Sequence, residues 1–114
     1  PLQALTLMNE VSFVEASRVL AQRMMTEGGA KPEDRIAFAF RLATARLPHA
    51  AELEVLRDGW RRHLEHYRQD GTAARELLKM GETRCDSRLD AGELAAYSIV
   101  ASLILNLDET ITKP

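Results

Sequence analysis

Two histidines lie three residues apart, at His63 and His66, and this spacing places both imidazoles on one side of a helix. Two imidazoles and a carboxylate such as Glu65 could bind a metal ion, as in a metal-dependent hydrolase. A catalytic zinc site takes three protein ligands, however, and the segment from His63 to His66 is neither a His-Glu-x-x-His nor a Glu-x-x-His motif. We therefore predict no metal and no cofactor, and keep the hydrolase as the alternative.

Three polar residues recur at every fourth position in an otherwise apolar segment, namely Ser98, Ser102 and Asn106. On a helix they form one stripe, and buried hydroxyl or amide groups cost about 1 to 3 kcal/mol each unless they form hydrogen bonds. We expect a structural polar network in which this stripe meets Asn9. Alternatively, the serines bond to carbonyls four residues earlier in their own helix and let helices approach closely. The sequence leaves both interpretations open.

The other reactive groups are isolated or balanced by opposite charge. Cys85 is the single cysteine, which excludes an internal disulfide and every multi-cysteine metal site. Arginines along residues 57–68 are interrupted by carboxylates, a pattern typical of a solvated helix face. With 15 basic and 17 acidic residues the net charge is −2, so the sequence predicts no nucleic-acid partner.

The composition favours helices. Ala and Leu contribute 16 residues each, whereas Val and Ile together contribute 9, so strong helix formers outnumber β-branched residues. The 114 residues are 46% hydrophobic and 28% charged, which is ordinary for one soluble domain. We therefore predict an all-α fold in which residues 1–114 form a single helical domain.

Capping residues, glycines and prolines divide the chain into five or six predicted helices. A first short helix should stop or bend near Asn9, and a second should run from Ser12 to a turn at Gly28. A third should run from Pro32 to Pro48, with apolar residues on two sides that predict neighbours on both. The remaining predicted helices are Ala51 to Asp70, Gly71 to about Met80, and Ala91 to about Leu107.

The last predicted helix is the most apolar. Asp90 with Glu93 three residues later predicts its N-cap. Its apolar run, Leu94 to Leu105, is shorter than the roughly 20 residues that a membrane span needs, so we predict no membrane span. We expect a compact orthogonal or up-down bundle with the helix 91–107 at its centre.

Several short segments share a pattern with a known family. They are Pro1–Asn9, Phe13–Ala16, Ala39–Leu42, Arg46–Pro48, Met80–Glu82, Leu94–Tyr97 and Leu105–Glu109. Together they resemble the C-terminal part of the planctomycete-specific domain one family, domain of unknown function 1553. Asn9 and Asn106 fall within these segments, but the resemblance supplies no catalytic residues.

The resemblance implies a fragment of a large bacterial protein, exported or periplasmic, whose N-terminal part is similar to cytochrome c. This segment has no Cys-x-x-Cys-His, so it does not itself attach c-type haem. We predict a non-catalytic module that packs against or positions other domains of its parent protein. Apolar residues near the ends, such as Leu2, Leu5 and Ile111, would line that interface, and a homo-oligomer is left open.

Overall fold

The fold is known from a computed structural model that describes the backbone of residues 2–79 and 86–111 and the side chains of residues 13–79 and 86–107. Every regular element within those residues is an α-helix, which confirms the predicted all-α fold. The five helices are α1 (Leu2–Glu27), α2 (Pro32–Thr44), α3 (Ala50–Gln69), α4 (Gly71–Leu78) and α5 (Ala91–Ile111).

The first helix, α1, is uninterrupted, so a stop near Asn9 and a second start at Ser12 are wrong, while a bend near Asn9 stays a prediction. Asn and Ser favour helix ends because their side chains can cap, but neither blocks a helical backbone as proline does. A helix can therefore continue through both residues. At about 1.5 Å per residue, its 26 residues span about 39 Å, close to the longest dimension of the molecule, 41 Å.

The turn between α1 and α2 lies where the glycines predict it. Gly29 adopts a φ of 99°, a left-handed conformation that side chains with a Cβ rarely adopt. Helix α2 then begins at Pro32, which suits the first turn because proline lacks the N–H that would have no partner there.

The second helix, α2, ends at Thr44, before the predicted end at Pro48. Ala45 adopts a φ of 63°, and its N–H donates to the carbonyl of Arg41 at 2.9 Å, which closes the helix. The opposite side of α2 is only partly covered, since Leu42 is 48% exposed. The prediction of neighbours on both sides is therefore met only in part on the outer side, where Phe38 packs against the core and Leu42 does not.

Aspartates begin the two C-terminal helices. The Oδ1 atom of Asp70 accepts a hydrogen bond from the N–H of Ala73 at 3.0 Å at the start of α4. The Oδ2 atom of Asp90 accepts one from the N–H of Glu93 at 2.9 Å at the start of α5, so the predicted N-cap is confirmed. Both caps satisfy backbone donors that have no partner inside the helix.

Helix α5 contacts each of the other four helices, which confirms its predicted central position. The Cα radius of gyration is 13.8 Å, close to the value of about 13 Å expected for a compact chain of this length. None of the described helices is both long and apolar enough to cross a membrane. The fully buried side chains in the described part of α5 are Leu94, Ala95, Ala96, Tyr97, Val100, Ala101 and Ile104.

Candidate functional site

The predicted polar stripe on α5 is used mainly within its own helix. The hydroxyl of buried Ser98 donates to the carbonyl of Leu94 at 2.7 Å, and that of half-buried Ser102 donates to the carbonyl of Ile99 at 2.6 Å. The side chain of Asn106 is exposed, and that of Asn9 lies outside the described residues. Ser98 thus makes the alternative bond to the carbonyl four residues earlier, and Ser102 bonds to the carbonyl three residues earlier. The network of Asn9, Ser98, Ser102 and Asn106 stays a prediction.

Two residues of α1 that no sequence pattern singles out face this part of α5. Ser17 is buried and its hydroxyl donates to the carbonyl of Phe13 at 2.8 Å, while Arg18 is 1% exposed. Together with α4 and α5 they surround a cavity of about 170 Å³. The cavity is lined by Phe13, Val14, Ser17, Arg18, Leu77, Ser98, Ile99 and Ser102.

The buried guanidinium of Arg18 joins α1 to the end of α4. Its Nη1 atom donates to the carbonyl of Leu78 at 2.9 Å, in the last turn of α4. Carbonyls at a helix C-terminus lack partners within the helix and lie at the negative end of its dipole, so a cation is well placed there. The signal for this role is weak in the sequence, because arginines usually keep the guanidinium at the surface.

A second polar group, around Tyr97, joins the core to the turn between α1 and α2. The hydroxyl of Tyr97 accepts a hydrogen bond from Nη1 of Arg35 at 3.5 Å, and Nε of Arg35 donates to the carbonyl of Gly29 at 2.8 Å. The ring centroid of Trp60 lies 5.1 Å from that of Tyr97. Burial raises the pKa of Tyr97 in spite of its bond to the Arg35 guanidinium, so this phenol is a neutral structural group.

The two histidines on α3 differ in exposure. His63 is half-buried, and burial, with smaller contributions from the charges of Arg62 and His66, lowers its pKa. His66 is exposed, and its ring lies 5.1 Å from that of Tyr67. Among the described residues no three His, Cys, Asp or Glu side chains come together in an arrangement that could hold a metal ion.

The described charged side chains of α3 do not form the ion pairs that their spacing along the helix would allow. Within the described residues neither Asp58 with Arg62 nor Arg61 with Glu65 forms an ion pair, although their spacing allows it. Instead, Nη1 of Arg57 lies 3.5 Å from Oε2 of Glu33 on α2, so this pair joins two helices. Cys85 lies outside the described residues.

The outer side of α5 carries an apolar row, the α5 stripe, formed by Ile99, Leu103 and Leu107 at four-residue spacing. Leu103 is 45% and Leu107 is 43% exposed, while Ile99 is half-buried at the wall of the cavity. Residues 94–107 contain no charged side chain, so the α5 stripe has no ionic feature along its own helix.

The outer side of α2 differs because charges flank its apolar residues. Asp34, Ala37, Phe38, Arg41 and Leu42 share this side, which we call the α2 face. With Leu47 in the next turn, the last four line a shallow depression of about 450 Å³. Among the described side chains neither Asp34 nor Arg41 forms an ion pair.

One ion pair holds the turn at the edge of the α2 face. Nη1 and Nη2 of Arg46 lie 2.9 Å from the two carboxylate oxygens of Glu52, and Nη1 also donates to the carbonyl of Leu47 at 3.1 Å. The N–H of His49 donates to Oε1 of Glu52 at 2.8 Å, at the start of α3. The Arg46 guanidinium and the His49 N–H lower the pKa of Glu52 to about 2.

Comparison with known proteins identifies one family. The sequence pattern of the family described as PSD1, protein of unknown function (DUF1553), matches residues 1–60. The matched residues include α1, α2 and the first half of α3, and therefore the whole α2 face. No curated protein and no solved structure matches the chain.

Proposed function

The chain belongs to the PSD1 family of proteins of unknown function (DUF1553), and we propose that it is a non-catalytic helical module that packs against, or positions, other domains of a larger protein. The observation that carries this proposal is the α5 stripe. It places two leucines that are each more than two-fifths exposed in one row with Ile99, which lines an apolar cavity.

Continuity distinguishes the α5 stripe from ordinary surface leucines. Single exposed apolar residues are common in folded proteins, whereas a contiguous apolar surface is typical of an interface. Ile99 belongs both to the α5 stripe and to the cavity wall, so the apolar surface extends from Leu103 into the cavity. Removing such surface from water stabilises a complex by roughly 25 cal/mol per Å² of apolar area.

The finer parts of the proposal come from the resemblance of the two chain ends. We propose that the chain is the C-terminal part of the family domain in an exported, cytochrome-linked protein, and that the domains of that protein cover the α5 stripe. Leu2, Leu5 and Ile111, whose side chains lie outside the described residues, would belong to the same interface. The α5 stripe supports an interface but carries no information about export.

Hydroxyl-radical footprinting tests whether another domain covers the α5 stripe. Oxidation of Leu103 and Leu107 is measured in the 114-residue chain and in the protein expressed from its complete natural reading frame. We expect both leucines to be oxidised several-fold more slowly in the complete protein. Val55 on α3 is 68% exposed and serves as the internal reference, which should react equally in both. Equal oxidation of Leu103 in the two proteins would overturn the proposal.

The non-catalytic part of the proposal is tested by metal analysis. The complete protein, purified without an affinity tag, is expected to contain no stoichiometric metal that depends on the α3 histidines. His63→Ala and His66→Ala are the variants to compare with the parent protein. A stoichiometric metal ion that both variants lose would instead favour the metal-dependent hydrolase.

A further inference from the structure

We infer that the α2 face binds the α2 face of a second copy of this chain, in an antiparallel pair with twofold symmetry. The α2 face carries one acidic residue near the start of its helix, Asp34, and one basic residue near the end, Arg41. Between them lie Ala37 and Phe38, so the charges flank an apolar centre. This inference concerns a different surface from the proposed function and does not depend on it.

Charge complementarity identifies the partner. Asp34 and Arg41 are seven residues apart, which is about two helical turns or 10.5 Å along the axis. When a second α2 helix runs antiparallel and the twofold axis passes between positions 37 and 38, Asp34 of each copy lies beside Arg41 of the other. A twofold interface repeats every contact, so one register forms both ion pairs at once.

Some of the other exposed charges are already used within the chain. Arg23 pairs with Glu27 at 3.0 Å, and Arg46 pairs with Glu52 at 2.9 Å. No described side chain forms an ion pair with Asp34 or with Arg41, which they share with Arg61 and Glu65 on α3. A second copy offers an arginine to Asp34 and an aspartate to Arg41. Because the two copies are identical, the spacing of the two charges is the same in both.

The shape of the α2 face also suits a close helix pair. Ala37 is small and lies at the proposed symmetry axis, where helices pack with axes about 8 to 10 Å apart. The guanidinium of Arg23 lies 5.7 Å from the centroid of the Phe38 ring, so α1 supports this ring from within the same copy. Leu42 is 48% exposed and Leu47 is 60% exposed, and both would be covered at the ends of the pair.

The small area of the α2 face predicts weak self-association. Helix α2 has 13 residues and is about 20 Å long, so the pair buries less than a standard protein interface. Such small interfaces give weak, reversible association, and the concentration series should therefore extend from about 10 μM to 1 mM.

The decisive experiment mixes two charge-reversal variants of the 114-residue chain in sedimentation equilibrium. Arg41→Asp leaves two acidic residues on the α2 face, and Asp34→Arg leaves two basic ones, so each variant alone should self-associate at least about tenfold more weakly than the parent. An equimolar mixture of the two should regain association, because each copy then offers the charges that the other lacks. The double variant D34R/R41D should associate like the parent chain.

Arg61→Asp and Glu65→Arg, two reversals on the exposed side of α3, are the matched controls and should leave self-association unchanged. Circular dichroism checks that each variant remains helical. A parent chain that stays monomeric up to about 1 mM would overturn the inference. A mixture that associates no better than its two components would overturn it as well, whatever the outcome of the footprinting of the α5 stripe.

Discussion

The α5 stripe and the α2 face are both exposed and apolar, but only the α2 face carries charges. Residues 94–107 of α5 contain no charged side chain, whereas Asp34 and Arg41 flank the centre of the α2 face. An uncharged apolar stripe is stabilised by any apolar partner that packs on it, and it fixes neither the direction nor the register of that partner. Charges of opposite sign at fixed spacing specify both, because like charges placed side by side are repelled.

The two surfaces also differ in what lies behind them. The inner side of α5 contacts all four other helices, so the α5 stripe is the outer side of the central element. The inner side of α2 buries Ile36, Ala39 and Phe40, while on its outer side Phe38 packs partly against the core and Arg23, and Leu42 is 48% exposed. A substitution in α5 can therefore disturb the whole bundle, while one on the α2 face should mainly affect binding.

The largest expected change in the free energy of unfolding comes from substitutions on the two sides of α5. Ile104→Ala removes a fully buried side chain and should lower the free energy of unfolding by about 2 to 5 kcal/mol. Leu103→Ala, one position away on the exposed side, should lower it by less than about 1 kcal/mol. Urea denaturation of both variants measures the difference, and similar losses would place the α5 stripe inside the folded core.

The cavity behind the α5 stripe predicts a gain of stability. Ser102→Leu should extend apolar atoms into the space of about 170 Å³ and raise the free energy of unfolding by about 1 kcal/mol relative to Ser102→Ala. The alanine variant is the control because it removes the same hydroxyl without filling the space. A leucine variant less stable than the alanine variant would show that the cavity walls do not accept the larger side chain.

A polar substitution separates stability from binding on the α2 face. Leu42→Ser should change the free energy of unfolding of the monomer by about 0.5 kcal/mol or less, since this side chain is half exposed. The same change should weaken self-association in sedimentation equilibrium. Leu103→Ser, made on the α5 stripe, should leave self-association unchanged. The opposite pattern, in which only the Leu103 variant dissociates, would assign the copy-to-copy contact to α5.

Acid should increase the mobility of Leu47, at the edge of the α2 face, but not that of Leu103 on the α5 stripe. The pKa of Glu52 is lowered to about 2 in the folded chain. The stabilisation of the fold by the charged carboxylate is therefore complete above the ordinary carboxyl pKa and is lost as the pH falls through about 2. Protonation breaks the bond to Arg46, which holds the carbonyl of Leu47. Methyl NMR between pH 2 and 6 should show increasing mobility at Leu47 but not at Leu103, an effect smaller than those above.

Glu52→Gln is the matched variant for the acid experiment. Glutamine can still accept the N–H of His49 but carries no charge, so Leu47 should be mobile at every pH in this variant. If Leu47 in the parent chain has the same mobility at both ends of the range, the Arg46–Glu52 pair does not hold this turn.

The helix boundaries show where local sequence rules succeed. The glycine turn after α1 and the Asp90 cap of α5 were predicted because each depends on a few neighbouring residues with a strong preference. The predicted break near Asn9 failed because a capping residue permits a helix end without requiring one. The early end of α2 at Thr44 was missed because alanine carries no signal for the left-handed conformation of Ala45.

The candidate surfaces show where those rules are insufficient. The four-residue repeat of Ser98 and Ser102 was visible, and the structure adds that both hydroxyls are used by carbonyls of α5. The buried position of Arg18 could not be predicted, because it depends on where the last carbonyls of α4 lie. The apolar pattern of α3 is enough to place His66 on the solvent side and His63 at its edge, and in the structure His66 is exposed and His63 half-buried.

The amino-acid sequence by itself determined the helical class of the fold, the identity of its most apolar helix and most of the turns, because these follow from the preferences of neighbouring residues. Only the tertiary structure decided which sides of the helices remain exposed. Exposure depends on contacts between residues far apart in the chain, such as the 60 positions between Arg18 and Leu78. The α5 stripe and the α2 face can therefore be recognised only in the packed structure, because each consists of side chains that the other described helices leave at least partly exposed.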